Sequence, residues 1–164
     1  MNFCHLRTLR IKKLQCQTLD RSFSYFKTCK VVHKERGKAL LYINHVILYK
    51  EPLDDIIINM SGFKLLKTRR YQFLNETLDF CAFSRNLMLA TGLIGFIINP
   101  VLNISNINPT CPLQQKNVVF NGFQVDENTL KEIPVPNGLY MFQLKISVKS
   151  KWISDVKTFV NRVD

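Results

Sequence analysis

The chain has 164 residues, a formal net charge of +11, 46% hydrophobic and 11% aromatic content. This composition excludes a disordered chain, and the length points to one domain, residues 1–164, with an apolar core. The charge is uneven, because residues 1–38 hold ten Lys and Arg against Asp20 and Glu35. Such a front end reads as a solvated basic face. No aromatic-basic motif of a nucleic-acid module accompanies it, so nucleic acid is not an expected partner.

In chain order, residues 1–8 read as irregular. Leu9 to Leu19 and Phe23 to His33 read as strands flanking a polar turn at Asp20-Arg21-Ser22. Glu35–Lys38 forms the next turn, followed by the aliphatic strand ALLYINHVILY, which Pro52 ends. DDIIINMSGFKLL and RRYQFLNETLDFCAF follow as further strands, so that Cys81 ends a strand. NLMLATGLIGFIIN is apolar almost throughout, yet too short to span a bilayer, and is expected as a short helix or lid near residues 84–98. After PVPNG, a turn signal, Tyr140, Phe142, Leu144, Ile146 and Val148 alternate with polar residues as a half-buried strand. A last run with Trp152, Val156, Phe159 and Val160 completes a C-terminal hairpin. The fold class read from this pattern is all-β: a sandwich of about seven or eight antiparallel strands with one short helix or lid.

No catalytic motif is present, and the three histidines are scattered. His45 lies in an apolar strand and reads as a packed histidine. Asp54-Asp55 and Asp126-Glu127 point to opposite faces of a strand rather than converging. The expectation is a non-enzymatic protein without a cofactor.

The cysteines Cys4, Cys16, Cys29, Cys81 and Cys111 form no Cys-x-x-Cys pair, which argues against zinc, and no metal site is expected. Cys16 and Cys29 are equidistant from the turn at Ser22-Phe23. In a hairpin centred there they would lie directly opposite, with Cα atoms about 4.5 Å apart. A bridge from Cys81 to Cys111 would close a loop of about thirty residues, contributing about 3–4 kcal/mol in the chain-entropy model. Buried free thiols remain the alternative, four cysteines allow three pairings, and Cys4 is spare in either case. Three sequons stand at Asn59, Asn75 and Asn103, while Asn108-Pro109-Thr110 is excluded by its proline. MNFCHLRTLRIKKLQC lacks an apolar run of signal-peptide length, so either the chain is cytosolic or the gene model lacks its true start.

KLQCQTLDRSFSYFKTCKV, LDFCAF, NPTCPL and PVPNGLY, in this order and spacing, resemble a fly-expanded family of secreted proteins of unknown function. That family is related to the ML lipid-recognition superfamily and to the insect CheB-like chemosensory proteins. The resemblance runs from about Leu14 to about Val160. It implies an immunoglobulin-like topology for the sandwich, opening between its sheets to hold a lipid or other apolar molecule. It also implies a secreted, monomeric glycoprotein, with chemosensation as one setting, and sets the missing signal peptide against the gene model rather than the fold. The expected ligand-binding wall is Phe80, Phe83, Phe96, Tyr140, Phe142, Leu144 and Ile146. The alternative partner is a membrane receptor or channel, bound with no lipid inside.

Overall fold

A computed structural model describes residues 8–35, 38–86, 101–124 and 135–163. Eight strands and one short helix follow in order: β1 (Thr8–Thr18), β2 (Ser24–His33), β3 (Ala39–Ile47), β4 (Ile56–Leu65), β5 (Arg70–Asp79), α1 (Phe80–Arg85), β6 (Asn117–Gln124), β7 (Gly138–Val148) and β8 (Lys151–Val163). They form a five-stranded sheet, ordered β1-β8-β7-β4-β5, and a three-stranded sheet, ordered β2-β3-β6. Every neighbouring pair is antiparallel. The sheets pack face to face as an immunoglobulin-like β-sandwich: the strand pattern suggested the sandwich, and the family resemblance its topology.

The C-terminal hairpin forms as the alternation suggests, with Tyr140 opposite Val160 and Leu144 opposite Val156. Its turn is Lys149-Ser150, both at positive φ (50° and 64°). A two-residue loop of this kind matches the right-handed twist of the strands it joins. Asn and Gly usually fill those positions, so the turn is less visible in sequence than its neighbours.

The N-terminal hairpin does not form. β1 pairs with β8, whereas β2 pairs with β3 in the other sheet. The chain crosses between layers at Leu19–Phe23. There the backbone N–H groups of Phe23 and Ser24 both donate to the Asp20 carbonyl. The Asp20 carboxylate is tied to Lys151 at 2.7 Å, next to the β7–β8 turn. Cys16 and Cys29 are nevertheless bonded, with Cα atoms 6.2 Å apart, as a bridge between sheets rather than across a hairpin. Register shifts in β1 (between Ile11 and Lys13) and β2 (between Phe26 and Thr28) make this possible. Each shift reverses the in–out alternation, so that Ile11 and Cys16 both face inward, as do Phe26 and Cys29.

The second bridge, Cys81–Cys111, has Cα atoms 5.5 Å apart. Cys81 does not end a strand: β5 stops at Asp79, whose Oδ1 accepts the Ala82 N–H at 3.1 Å. That bond caps α1 and satisfies a donor that the helix itself leaves unpaired. This helix precedes most of the segment near residues 84–98 that was expected as a helix or lid. The apolar segment from 87 to 100, Phe96 within it, lies outside the described residues, as do Cys4 and the rest of residues 1–7. Thr8, expected as irregular, opens β1.

Candidate functional site: a cavity between the sheets

The buried core is divided. One cluster, Ile47, Leu53, Ile56, Phe80, Cys81, Leu113, Val148 and Ile153, fills the end where α1 sits. A second, Leu9, Ile11, Ala39 and Val160, fills the other end. β7 records the gap. Although it is the middle strand of its sheet, Tyr140 and Val148 near its ends are buried, while Phe142, Leu144 and Ile146 between them are half-buried.

The space these side chains border is a cavity of about 340 Å³. The five-stranded sheet lines it with Ile58, Met60, Phe142, Leu144, Ile146 and Val156, and the three-stranded sheet with Phe26, Leu41, Ile43, His45, Val118 and Phe120. Leu53 and Leu113 close the α1 end, held together by reciprocal backbone hydrogen bonds of 2.9 and 2.7 Å. No Lys, Arg, Asp or Glu lines the cavity among the described residues. Ser61 and Gln143 touch its wall, but their side chains belong to the opposite face of the sheet. Gln143 donates there to Asp155 Oδ2 at 2.8 Å, and the Ser61 hydroxyl to Asn59 Oδ1 at 3.1 Å.

Two polar side chains join this lining from inward positions, Thr158 of β8, opposite Phe142, and His45. His45 is 6% exposed, and its ring stacks on Phe26 with centroids 4.4 Å apart. Burial pushes its pKa from 6.5 down to about 4, so the imidazole is neutral at physiological pH. It is a packed histidine, as its strand suggests, but one whose Nε2 has no hydrogen-bond partner among the described residues.

Of the wall expected from sequence, Phe80, Phe142, Leu144 and Ile146 border the cavity. Tyr140 is 2% exposed and packs beyond it, where its hydroxyl donates to the Pro136 carbonyl. Phe83 is half-buried on α1 and does not line the cavity. The wall supplied by β2, β3 and β6 was missed. Its signal was present in β3, where Leu41, Ile43, His45 and Ile47 alternate, but a continuous apolar run hides which half faces inward.

Two of the sequons lie together on the outer face of the five-stranded sheet. Asn59 is opposite Thr77, and Ser61 is opposite Asn75. The Asn59 Nδ2 donates to Asn75 Oδ1 at 2.9 Å and to Thr77 Oγ1 at 3.1 Å. Asn103 is exposed in the helical residues 101–104. Among the described residues no group of three or more His, Cys, Asp or Glu could hold a metal ion. No helix among them is long and apolar enough to cross a membrane.

Comparison with curated proteins gives no match. Among solved structures, the chain is similar to a Niemann-Pick type C2 protein from Japanese carpenter ant, at 11% identity and a TM-score of 0.37, covering 98% of this chain and 96% of that one. Residues 58–142, just over half of the chain, match the model of a family described as protein of unknown function (DUF1091). This stretch runs from the cavity-lining Ile58 of β4 to the cavity-lining Phe142 of β7, and the chain belongs to the DUF1091 family.

Proposed function

We propose that the chain is a non-enzymatic extracellular carrier that holds a lipid or other apolar small molecule between its two sheets. The cavity supports this reading. At about 340 Å³ it is more than twice the roughly 150 Å³ of an engineered cavity that takes up benzene. A space of this size leaves Phe142, Leu144 and Ile146 of β7 half-buried, without the contacts a filled core would give them. Hydrocarbon inside it restores the missing contacts, at about 0.8 kcal/mol per buried CH₂.

The extracellular setting is supported by the two disulfides, which persist in oxidising compartments. Chemosensation, and kinship with the CheB-like proteins, are supported by the spacing of the four bridged cysteines and the motifs around them. In this reading the protein acts as a secreted monomer.

The test is native mass spectrometry of the chain secreted from insect cells behind a borrowed signal peptide, before and after reduction. A mass excess that leaves on denaturation, on a chain with two bridges, is the expected result. A bridged chain that carries nothing, and takes up no hydrocarbon probe, would turn the reading towards a receptor- or channel-binding module. Free thiols would remove the extracellular setting.

A further inference from the structure

We propose that the turn between β4 and β5 docks on an anionic phospholipid bilayer, with Lys67, Arg69 and Arg70 at the headgroups and Leu66 and Tyr71 entering the interface. None of these residues lines the cavity, so docking goes beyond the carrier reading and is tested separately from it.

Apolar side chains are exposed at this turn. Leu66 follows β4, Tyr71 and Phe73 open β5, and Leu139 lies opposite Leu65 on β7; all four are exposed. Tyr71, at 63%, is the most exposed large apolar side chain among the described residues. Single exposed apolar residues are ordinary, but four around one turn form a patch, and such patches mark protein or membrane contacts.

Charge and shape favour the membrane. Residues 56–75 contain Lys64, Lys67, Arg69 and Arg70 and no acid. Lys67 and Arg69 have no ion-pair partner among the described residues. Lys64 and Arg70 reach over rings, at 6.0 Å from the centroid of Tyr140 and 4.5 Å from that of Phe63, so their stems run along apolar surface. Cations interleaved with rings and leucine suit a bilayer interface, where rings meet the acyl boundary and charges meet phosphates. The turn is also convex, and side chains can sink into a fluid bilayer as they cannot into a rigid protein face. The β2–β3 turn, at the same end because Ala39 packs with Val160, adds Lys34 and Lys38 against Glu35. The α1 end instead mixes its cations with Asp20, Glu51, Asp54, Asp55 and Asp79. Residues 125–134, outside the described ones, carry Asp126, Glu127 and Glu132 with Lys131, too few acids to reverse this sign. An anionic surface therefore draws the chain in with the β4–β5 turn foremost.

The experiment is cosedimentation of the full, disulfide-bonded chain with vesicles of phosphatidylcholine, alone or mixed with phosphatidylserine. The chain should pellet with the anionic vesicles and not with the neutral ones, and less so as salt rises. Lys67→Glu with Arg69→Glu should weaken binding by about tenfold or more, since each cation at an anionic surface contributes about fivefold. Arg21→Glu with Lys50→Glu, the same charge change at exposed positions of the α1 end, should leave it nearly unchanged. Tyr71→Ser, which alters no charge, should weaken it. Trp152 is the single tryptophan and sits beside the β7–β8 turn at the α1 end, so its emission should not move on binding. With Trp152→Phe and Tyr71→Trp together, the emission should shift to the blue on anionic vesicles. Equal losses from the two charge reversals would overturn the assignment to this turn and leave net charge alone. An unshifted emission in the Tyr71→Trp chain would overturn insertion. Failure to bind either vesicle would overturn the bilayer as occupant and pass the turn to a protein partner. Vesicle binding without hydrocarbon uptake would fail the carrier reading and leave the docking surface standing.

Discussion

The ring of Phe73 lies where a side chain on Gly62 would be. A Cβ built on Gly62 would stand 2.8 Å from Phe73 Cζ and 3.1 Å from Leu74 Cβ. The pairing of β4 with β5 slips between Gly62 and Phe63, and the slip turns Phe73 inward, edge-on to Tyr140 and Phe142. Gly62→Ala should therefore destabilise the protein by about 1–2 kcal/mol, as overpacked sites do. Thermal unfolding of the variant is the check, and an unchanged midpoint would mean that Phe73 moves aside freely.

A filled core and a cavity respond oppositely to added volume. Leu144→Phe projects extra carbon into the space between the sheets, from a residue half-buried in mid-strand. The variant should be as stable as the parent chain or more so when empty, and should bind decane at least tenfold more weakly. Overpacking a closed core instead costs about 1–3 kcal/mol, so a strongly destabilised variant would argue that the space is not empty.

His45 makes stability depend on pH. Its folded pKa of about 4 lies below its ordinary 6.5, so between these values the unfolded chain binds the extra proton. The stabilisation is complete above about 6.5 and is lost as pH falls towards 4, by roughly 3 kcal/mol in total. Urea unfolding midpoints from pH 7 to pH 4 should show this loss in the parent chain and not in His45→Phe. Asp20 acts lower. Its hydrogen bonds from Lys151 and Ser22 bring its pKa from 3.8 to about 2, so its stabilisation is present above about 3.8 and disappears towards 2. Asp20→Asn should remove that lower, separate fall.

The paired sequons cannot both serve. A glycan on Asn59 would remove a hydrogen from the Nδ2 that bonds Asn75 and Thr77, in the middle of a strand. Asn75 is exposed on the edge strand β5, with its Nδ2 outside that pair of bonds. Glycopeptide mapping of the secreted chain should find sugar on Asn75 and an unmodified Asn59. Occupancy of Asn59 would show that β4 and β5 tolerate the loss of this network.

Much of the fold was legible because alternation and turns are local signals. The β7–β8 hairpin followed from the Tyr140-to-Val148 pattern. The sequence leaves the cysteine pairings open, and symmetry about Ser22-Phe23 points to the right partners, Cys16 and Cys29, through a hairpin that does not form. What failed was non-local. Whether β2 returns beside β1 or joins the other sheet depends on competition from β8 for the edge of β1, which the Asp20 turn does not reveal. The register shifts at Lys12 and Lys27 carry no sequence mark, so the inward set could not be counted through them. The cavity was expected only from the family resemblance, and its wall was legible from one side. The regular alternation of β7 exposed its inner face, while the apolar run of β3 concealed His45 among aliphatic neighbours.

The two disulfides act on the cavity as mechanical ties. Cys16 sits opposite Val156, and Cys29 opposite Ile43, so the bridge between them runs beside two residues of the cavity wall and pins the β1–β2 margin. Cys81–Cys111 joins the helix after β5 to the chain leading into β6, and pins the opposite margin at the α1 end. With these two points fixed, the sheets can part only by tilting about the line between them.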